Sequence, residues 1–329
     1  MIKRNFLTYK IQGSSILVTG AAGFIGSHLC EKLLNLGANV IGVDNLSTGT
    51  LRNIDHLNNN KRFSFFKIDA NSMSDMEQMF KSEIDFVFHY AAVLGVKRVE
   101  ENPLSVLKDI NGIENICILS KKNGVKKLIY ASSSEAYGDI AEIPLIEDKI
   151  SINKHSNHSH IYALVKLIGE RIISTYNQKY DLPTCSLRFF NVYGPKQESS
   201  AYGFVVGVFI RQLINSQNPT IFGDGYQTRD FIYIDDNIEL SVKALCSKKT
   251  DGEIINIGSG RQITILDLAE KLIKISGKSI EPKFLPNRIN EIRYRVPDVS
   301  KMEKLLGKIQ YSKMDINLEK TFFSYKKDC

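Results

Sequence analysis

Apolar residues in the first 135 positions recur with two alternating periods. Short apolar runs stand at Ile16-Leu-Val18, Val40-Ile-Gly-Val43, Phe63-Ser-Phe-Phe-Lys-Ile68, Phe86-Val-Phe88 and Lys127-Leu-Ile-Tyr-Ala131, each bounded by polar residues or glycine. Such runs predict strands. Between them the apolar positions fall at helical spacing. Ile25, Leu29 and Leu33 share one face of a segment that stops at Gly37, and further helices are expected over Met73–Phe80 and about Leu104–Leu119. Strands separated by helical patterns imply an α/β fold with a doubly wound parallel sheet. Functional groups then belong at the carboxyl ends of the strands, where Asp44, Asp69, His89 and Ser132–Glu135 fall.

The first strand runs straight into a turn with glycines at Gly20, Gly23 and Gly26, and the second strand closes on Asp44. This β-α-β unit reads as a dinucleotide site. Residues without side chains let the backbone approach a pyrophosphate, the helix N-terminus faces its charge, and the acid takes the adenosine ribose hydroxyls. A carboxylate at 44 repels a 2′-phosphate, so the expected cofactor is NAD. Phe24 and Ile25 lie between the glycines, Ala70 and Ala91 follow neighbouring strands, and all four are candidates to line the site.

Composition narrows the class. With 329 residues the chain suits one large α/β domain or a domain with a smaller lobe. Cys30, Cys117, Cys185, Cys246 and Cys329 are scattered and read as reduced thiols of a cytoplasmic protein. Residues 1–12 carry no apolar core of a leader and are read as an N-terminal extension, and no run reaches the length of a membrane span. The net charge of +7 comes from dispersed doublets such as Lys121-Lys122, without interleaved aromatics, so no nucleic-acid partner is expected. His155, His158 and His160 stand in a polar loop with no acid or cysteine at ligand spacing; no metal is expected there.

A helix beginning near Ile161 carries Tyr162 and Lys166, four residues apart and therefore on one face. A cation beside a phenol favours its ionised form. A tyrosine tuned in this way can take a proton from a sugar hydroxyl as hydride leaves for the cofactor.

The glycines at 20, 23 and 26, the serine run before Tyr137-Gly138, Tyr162 with Lys166, and Arg188-Phe-Phe-Asn-Val-Tyr-Gly194 occur together and in order. From about residue 14 to 307 the chain resembles the extended short-chain dehydrogenases/reductases, specifically the NAD-dependent nucleotide-sugar epimerases and dehydratases. That resemblance implies a Rossmann domain over 13–187 with a return segment at about 231–258. It also implies a nucleotide-sugar lobe from 188–230 and 259–325, and a homodimer built on the helices near 104–121 and 161–180. It assigns Ser133 to the sugar C4 hydroxyl, Tyr162 to the base, and Lys166 to tuning the base and holding the nicotinamide ribose. Asp44 and Asn45 fall on the adenosine ribose and Asp69 by the adenine. Asn191 falls on the sugar nucleotide, Phe222 in the segment beside the base, Arg229 and Arg288 on the diphosphate, and Glu291 on the nucleotide ribose. Two guanidiniums suit a diphosphate because each can grip its oxygens bidentately.

Three positions depart from the pattern. Asp109 stands where the family carries Asn, an exchange expected to disturb local backbone bonding. Glu135 stands where simple 4-epimerases carry a small or apolar residue, and resembles the acid of sugar 4,6-dehydratases and UDP-glucuronate decarboxylases; the aspartate that glucose-type dehydratases put at 134 is Ser134 here. Arg295 falls where the family gates sugar size. Its head is expected to point outward with the stem covering the lobe's edge; turned inward, it would want an anion. The expected function is an NAD-dependent nucleotide-sugar 4-epimerase. Open alternatives are a 4,6-dehydratase, a UDP-glucuronate decarboxylase, a 4-dehydrogenase and, more remotely, a non-catalytic NAD sensor.

Overall fold

A computed structural model describes residues 9–93, 96–138, 142–150, 160–200, 203–287 and 292–327. The first half alternates as expected: β1 (Ser15–Thr19), α1 (Phe24–Asn35), β2 (Asn39–Asp44), β3 (Phe63–Lys67), α2 (Met73–Met79), β4 (Phe86–His89), α3 (Val96–Glu101), α4 (Pro103–Leu107), α5 (Asp109–Lys122) and β5 (Lys127–Ser133). Next come α6 (His160–Tyr180), β6 (Thr184–Phe189), β7 (Val192–Tyr193), α7 (Val205–Ile214), β8 (Thr220–Phe222), β9 (Thr228–Arg229), β10 (Ile232–Tyr233), α8 (Ile234–Cys246) and β11 (Glu253–Ile257). β12 (Ile263–Thr264), α9 (Ile265–Ser276), β13 (Lys283–Leu285), β14 (Tyr294–Arg295), α10 (Ser300–Leu306) and α11 (Met314–Lys327) complete the order.

Seven parallel strands form the main sheet in the order β11-β6-β5-β4-β1-β2-β3. Side chains alternate between its faces. Ile16 and Val18 of β1 pack with Leu29 and Leu33 of α1 on one side, whereas Leu17 packs with Ile113 and Ile116 of α5 on the other. That two-sided burial explains why the strands read as continuous apolar runs.

Local signals set the helix ends. Gly37 follows α1 at φ +88°, a backbone region that costs glycine little. The hydroxyl of Ser72 accepts from the Asp75 N–H at the start of α2. One expectation needs correction: the helix over 104–119 is two helices that part at Lys108. α5 begins afresh on Asp109, whose carboxylate is drawn to the Val93 N–H.

The order in which successive strands are added reverses between β1 and β4, which opens a crevice at the strand ends. The later part of the chain adds the three-stranded sheet β12-β9-β14 and the pair β13-β8, with α7, α9 and α11 packed on one another. Among the described residues no helix is long and apolar enough to cross a membrane.

Candidate active site

The floor of the crevice is made by glycine. Gly20 has φ +73°, and a Cβ there would lie 2.8 Å from the Ala91 nitrogen. A Cβ on Gly26 would lie 2.0 Å from the Gly20 carbonyl oxygen. The turn can therefore bring β1, α1 and the residues after β4 together only without side chains. Gly23 begins α1 with no side-chain cap, so the first N–H groups of this helix face the cavity. The cavity holds about 500 Å³, and Gly20, Gly23, Phe24, Ile25 and Gly26 line it.

Carboxylates follow where the strands end. Asp44 is buried, and its Oδ2 accepts from Ala22 N at 3.0 Å while Oδ1 accepts from Leu46 N at 2.8 Å. Burial raises its pKa and these amides oppose the rise. Asn45 steadies the turn by accepting from Ser47 N, and Asp69 Oδ1 accepts from Asn71 N at 2.9 Å. Asp44, Asn45, Asp69, Ala70 and Ala91 all line the cavity. A bare backbone cradle, a helix N-terminus and a ribose-sized acid at the next strand end fit a dinucleotide such as NAD.

The structure brings Ser133, Glu135, Tyr162 and Lys166 to the same cavity. Ser133 ends β5, while α6 carries Tyr162 and Lys166 past it on one face. The Ser133 hydroxyl lies beside the Tyr162 phenol and accepts from Glu135 N at 3.2 Å. Lys166 is buried, donates to Ala131 O at 2.7 Å, and lies 5.0 Å above the Tyr130 ring and 5.5 Å above the Tyr162 ring. Burial pulls Lys166 down to about 8, opposed by Asp109 and Glu170. Burial pushes the Tyr162 phenol up, opposed by the Ser133 hydrogen bond. The phenol thus needs positive charge beside it to ionise, and the lysine and an oxidised nicotinamide both supply that sign.

Beneath these groups lies a network that the sequence did not announce. Arg188 on β6 is fully buried and grips Glu170 with two bonds of 2.7 and 2.8 Å; Ser132 donates to the same carboxylate at 2.6 Å. Since Ser132 precedes Ser133 and Glu170 lies one turn beyond Lys166, the ion pair ties β6 and the Ser132 bond ties β5 to α6 at the catalytic level. Thr19 was missed as well. Its Oγ1 hydrogen-bonds His89 Nδ1 at 2.8 Å and accepts from Tyr90 N and Ala91 N at 3.1 Å, fixing the cavity wall. A polar residue closing an otherwise apolar strand was the only signal for it.

The lobe side differs from expectation in one important place. Asn191 lines the cavity and donates to Asp230 O at 2.8 Å. Phe222 on β8 and Arg229 on β9 lie outside that lining, and Arg229 donates to Thr228 O at 2.8 Å. Arg288, Glu291 and the side chains of His155, His158 and His160 lie outside the described residues. Arg295, expected to point outward, points inward: it is 7% exposed and pairs with Glu135. Register decides this, because β14 pairs with β9 and turns alternate side chains to opposite faces, burying Arg295 beside exposed Tyr294. Nor does Asp109 disturb the backbone as expected, since its Oδ2 accepts from Val93 N at 2.7 Å.

The family model described as the NAD dependent epimerase/dehydratase family matches residues 16–258. The UDP-glucose 4-epimerase of Mycolicibacterium smegmatis is 33% identical over 88% of this chain and 92% of its own. The UDP-N-acetyl-alpha-D-glucosaminuronate decarboxylase of Bacillus cytotoxicus is 35% identical over 88% of this chain and 90% of its own. Among solved structures, the UDP-glucuronic acid 4-epimerase of Bacillus cereus, in complex with UDP-glucuronic acid and NAD, superposes with a TM-score of 0.85 at 36% identity. That match covers 96% of this chain and all of the other. With the glycine cradle and the Ser133–Tyr162–Lys166 constellation in one cavity, the chain belongs to the NAD-dependent epimerase/dehydratase family and is an NAD-dependent nucleotide-sugar enzyme.

Proposed function

We propose that the protein is a UDP-sugar 4-epimerase that works through a transient 4-keto sugar. The observation that carries this reading is the Glu135–Arg295 pair. Arg295 is buried behind Glu135, and Glu135, about half exposed, forms the cavity wall. The anion that an inward arginine wants is therefore supplied from within the chain. What the wall presents to a sugar is a carboxylate held by a guanidinium, an acceptor suited to neutral hydroxyls and hostile to a second anion.

Tyr162 takes the C4 hydroxyl proton, Ser133 holds that oxygen, and Lys166 favours the phenolate by its charge. NAD held by the glycine turn and Asp44 would supply the acceptor and donor of the C4 hydride. After the 4-keto sugar turns over in the cavity, Tyr162 gives the proton back to the C4 oxygen. Arg295 holds the Glu135 carboxylate in an ion pair, and that base is not left free to take the C5 proton. Arg229 and Arg288 are assigned to the diphosphate and Glu291 to the nucleotide ribose on the resemblance of their motifs. Exposed Leu104 and Leu107 on α4 and Ile168 on α6 suit a helical homodimer interface, and the buried reduced thiols suit the cytoplasm.

One alternative has a specific observation behind it. A uronate carboxylate that displaced Glu135 from Arg295 would release Glu135 as a base, and the relative at 35% identity is named a decarboxylase. Incubating the protein with UDP-glucose, UDP-N-acetylglucosamine and UDP-glucuronate and identifying products by NMR decides between them. The expected result is the C4 epimer with all carbons retained; carbon dioxide release from UDP-glucuronate alone overturns the reading.

A further inference from the structure

The Glu135–Arg295 pair joins a turn of the main domain to a strand of the lobe, and it does not hold them together by itself. Glu135 is about half exposed, and an ion pair with one solvated member does little to fix two segments of backbone. The segments are set by what lies behind them. Outside the cavity lining, hydrogen bonds from both halves converge on Asn256.

Asn256 stands in the middle of β11, fully buried, in the otherwise apolar run Ile254-Ile-Asn-Ile257. An amide there is costly unless every polar atom finds a partner. Its Oδ1 accepts from the Tyr137 hydroxyl at 2.7 Å, and its Nδ2 donates to Leu145 O at 2.9 Å and to Asp298 O at 3.1 Å. Each partner leads to one half of the pair. Tyr137 closes the helical turn Ser134–Tyr137, which carries Glu135, and its ring lies 4.5 Å under the Arg188 guanidinium. Leu145 N donates to Val296 O at 2.8 Å and its carbonyl accepts from Asp298 N at 2.9 Å, so Leu145 grips the chain that directly follows Arg295. The strap around Leu145 is itself tied down, since Asn256 N donates to Glu147 Oε1 at 2.9 Å and Arg188 Nη1 donates to Glu147 O at 3.0 Å. One hydroxyl to accept and two carbonyls to serve require an acceptor and a donor on one short side chain. Aspartate lacks the donor and leucine lacks both.

We propose that Asn256 is a positioning residue for the sugar wall: it holds the Glu135 turn and the Arg295 strand at the separation where the two side chains pair, and it acts on sugar selectivity through that pair alone. This rests on the role given to Glu135 and Arg295 in choosing the sugar.

The test uses two variants. Asn256→Leu is close in volume and removes both arms, whereas Tyr137→Phe removes one hydroxyl and cuts only the arm to the Glu135 turn. The first readout is the guanidinium Nε–H signal of Arg295 in arginine-labelled protein, assigned with Arg295→Lys; Glu135→Gln supplies the signal of Arg295 without its partner. Asn256→Leu should move the signal toward that reference, and Tyr137→Phe should move it part of the way. The second readout is the ratio of kcat/KM for UDP-glucuronate to that for UDP-glucose. It should rise about fivefold in Asn256→Leu, and by less in Tyr137→Phe. In a Glu135→Gln background, with no pair left to position, the same exchanges should change the ratio by about twofold at most. A purely structural asparagine would lower the melting temperature and leave the Arg295 signal where it was. An unmoved Arg295 signal in both variants overturns the proposal, and Tyr137→Phe gives that answer even if Asn256→Leu does not fold. The spectrum needs no turnover, so a wild type inactive on every UDP-sugar would refute the 4-epimerase reading and leave this one to its own result.

Discussion

The two walls of the cavity are built by different means. On the cofactor side the work is done by backbone: Gly20, Gly23, Gly26 and Asp44 lie within 25 residues of one another and act through missing side chains, one helix end and one strand end. On the sugar side it is done by side chains brought from far apart, such as Glu135 and Arg295, 160 positions distant, or Asn191 reaching the Asp230 carbonyl. A backbone device of this kind tolerates almost no substitution. A side-chain device can be retuned by one exchange, and the named relatives include both epimerases and a decarboxylase.

The largest expected effect belongs to the backbone wall. Gly26→Ala should abolish measurable NAD binding by calorimetry and cost about 3 kcal/mol of stability in a denaturant titration, because its Cβ would meet the Gly20 carbonyl at 2.0 Å. Near-native binding would mean that the turn yields more than its close contact suggests. Tyr162→Phe comes next. It should leave fold and NAD affinity intact and lower kcat by two or more orders of magnitude, the reach of general acid–base catalysis. Near-normal turnover would place the proton route elsewhere.

The side-chain wall should respond in selectivity rather than in folding. Glu135→Gln leaves Arg295 without its internal anion, so kcat/KM for UDP-glucuronate should rise relative to UDP-glucose by about tenfold, the scale of one charge-assisted hydrogen bond. An unchanged ratio would show that Arg295 never reaches the sugar. The smallest effect expected is on cofactor choice. NAD should bind about tenfold more tightly than NADP, and Asp44→Asn should narrow the gap, since a single carboxylate, itself held by two backbone amides, opposes the 2′-phosphate. Equal affinities in the wild type would mean that Asp44 does not face that ribose position.

What was legible in the chain follows the same division. The alternation of strands and helices, the glycine turn, Asp44, Asp69 and the Tyr162/Lys166 face were readable because each depends on spacing within one or two elements. The break at Lys108 was not, because Leu107, Ile110, Ile113 and Cys117 keep helical spacing across it. Arg188 looked like one residue of a motif; its role as the buried clamp on Glu170 exists only once β6 lies beside β5. Arg295 was placed on the wrong side for a related reason. Its direction is set by the pairing of the two-residue strands β9 and β14, too short to leave a period in the sequence.

The most direct test of the reaction is to supply UDP-glucose carrying deuterium at C4 and follow the sugar by NMR in ordinary water. The 4-keto route predicts UDP-galactose with the deuterium still at C4 in the opposite configuration, and no exchange at C5. Loss of the label to solvent, or a 6-deoxy-4-keto product with solvent hydrogen incorporated, would contradict it.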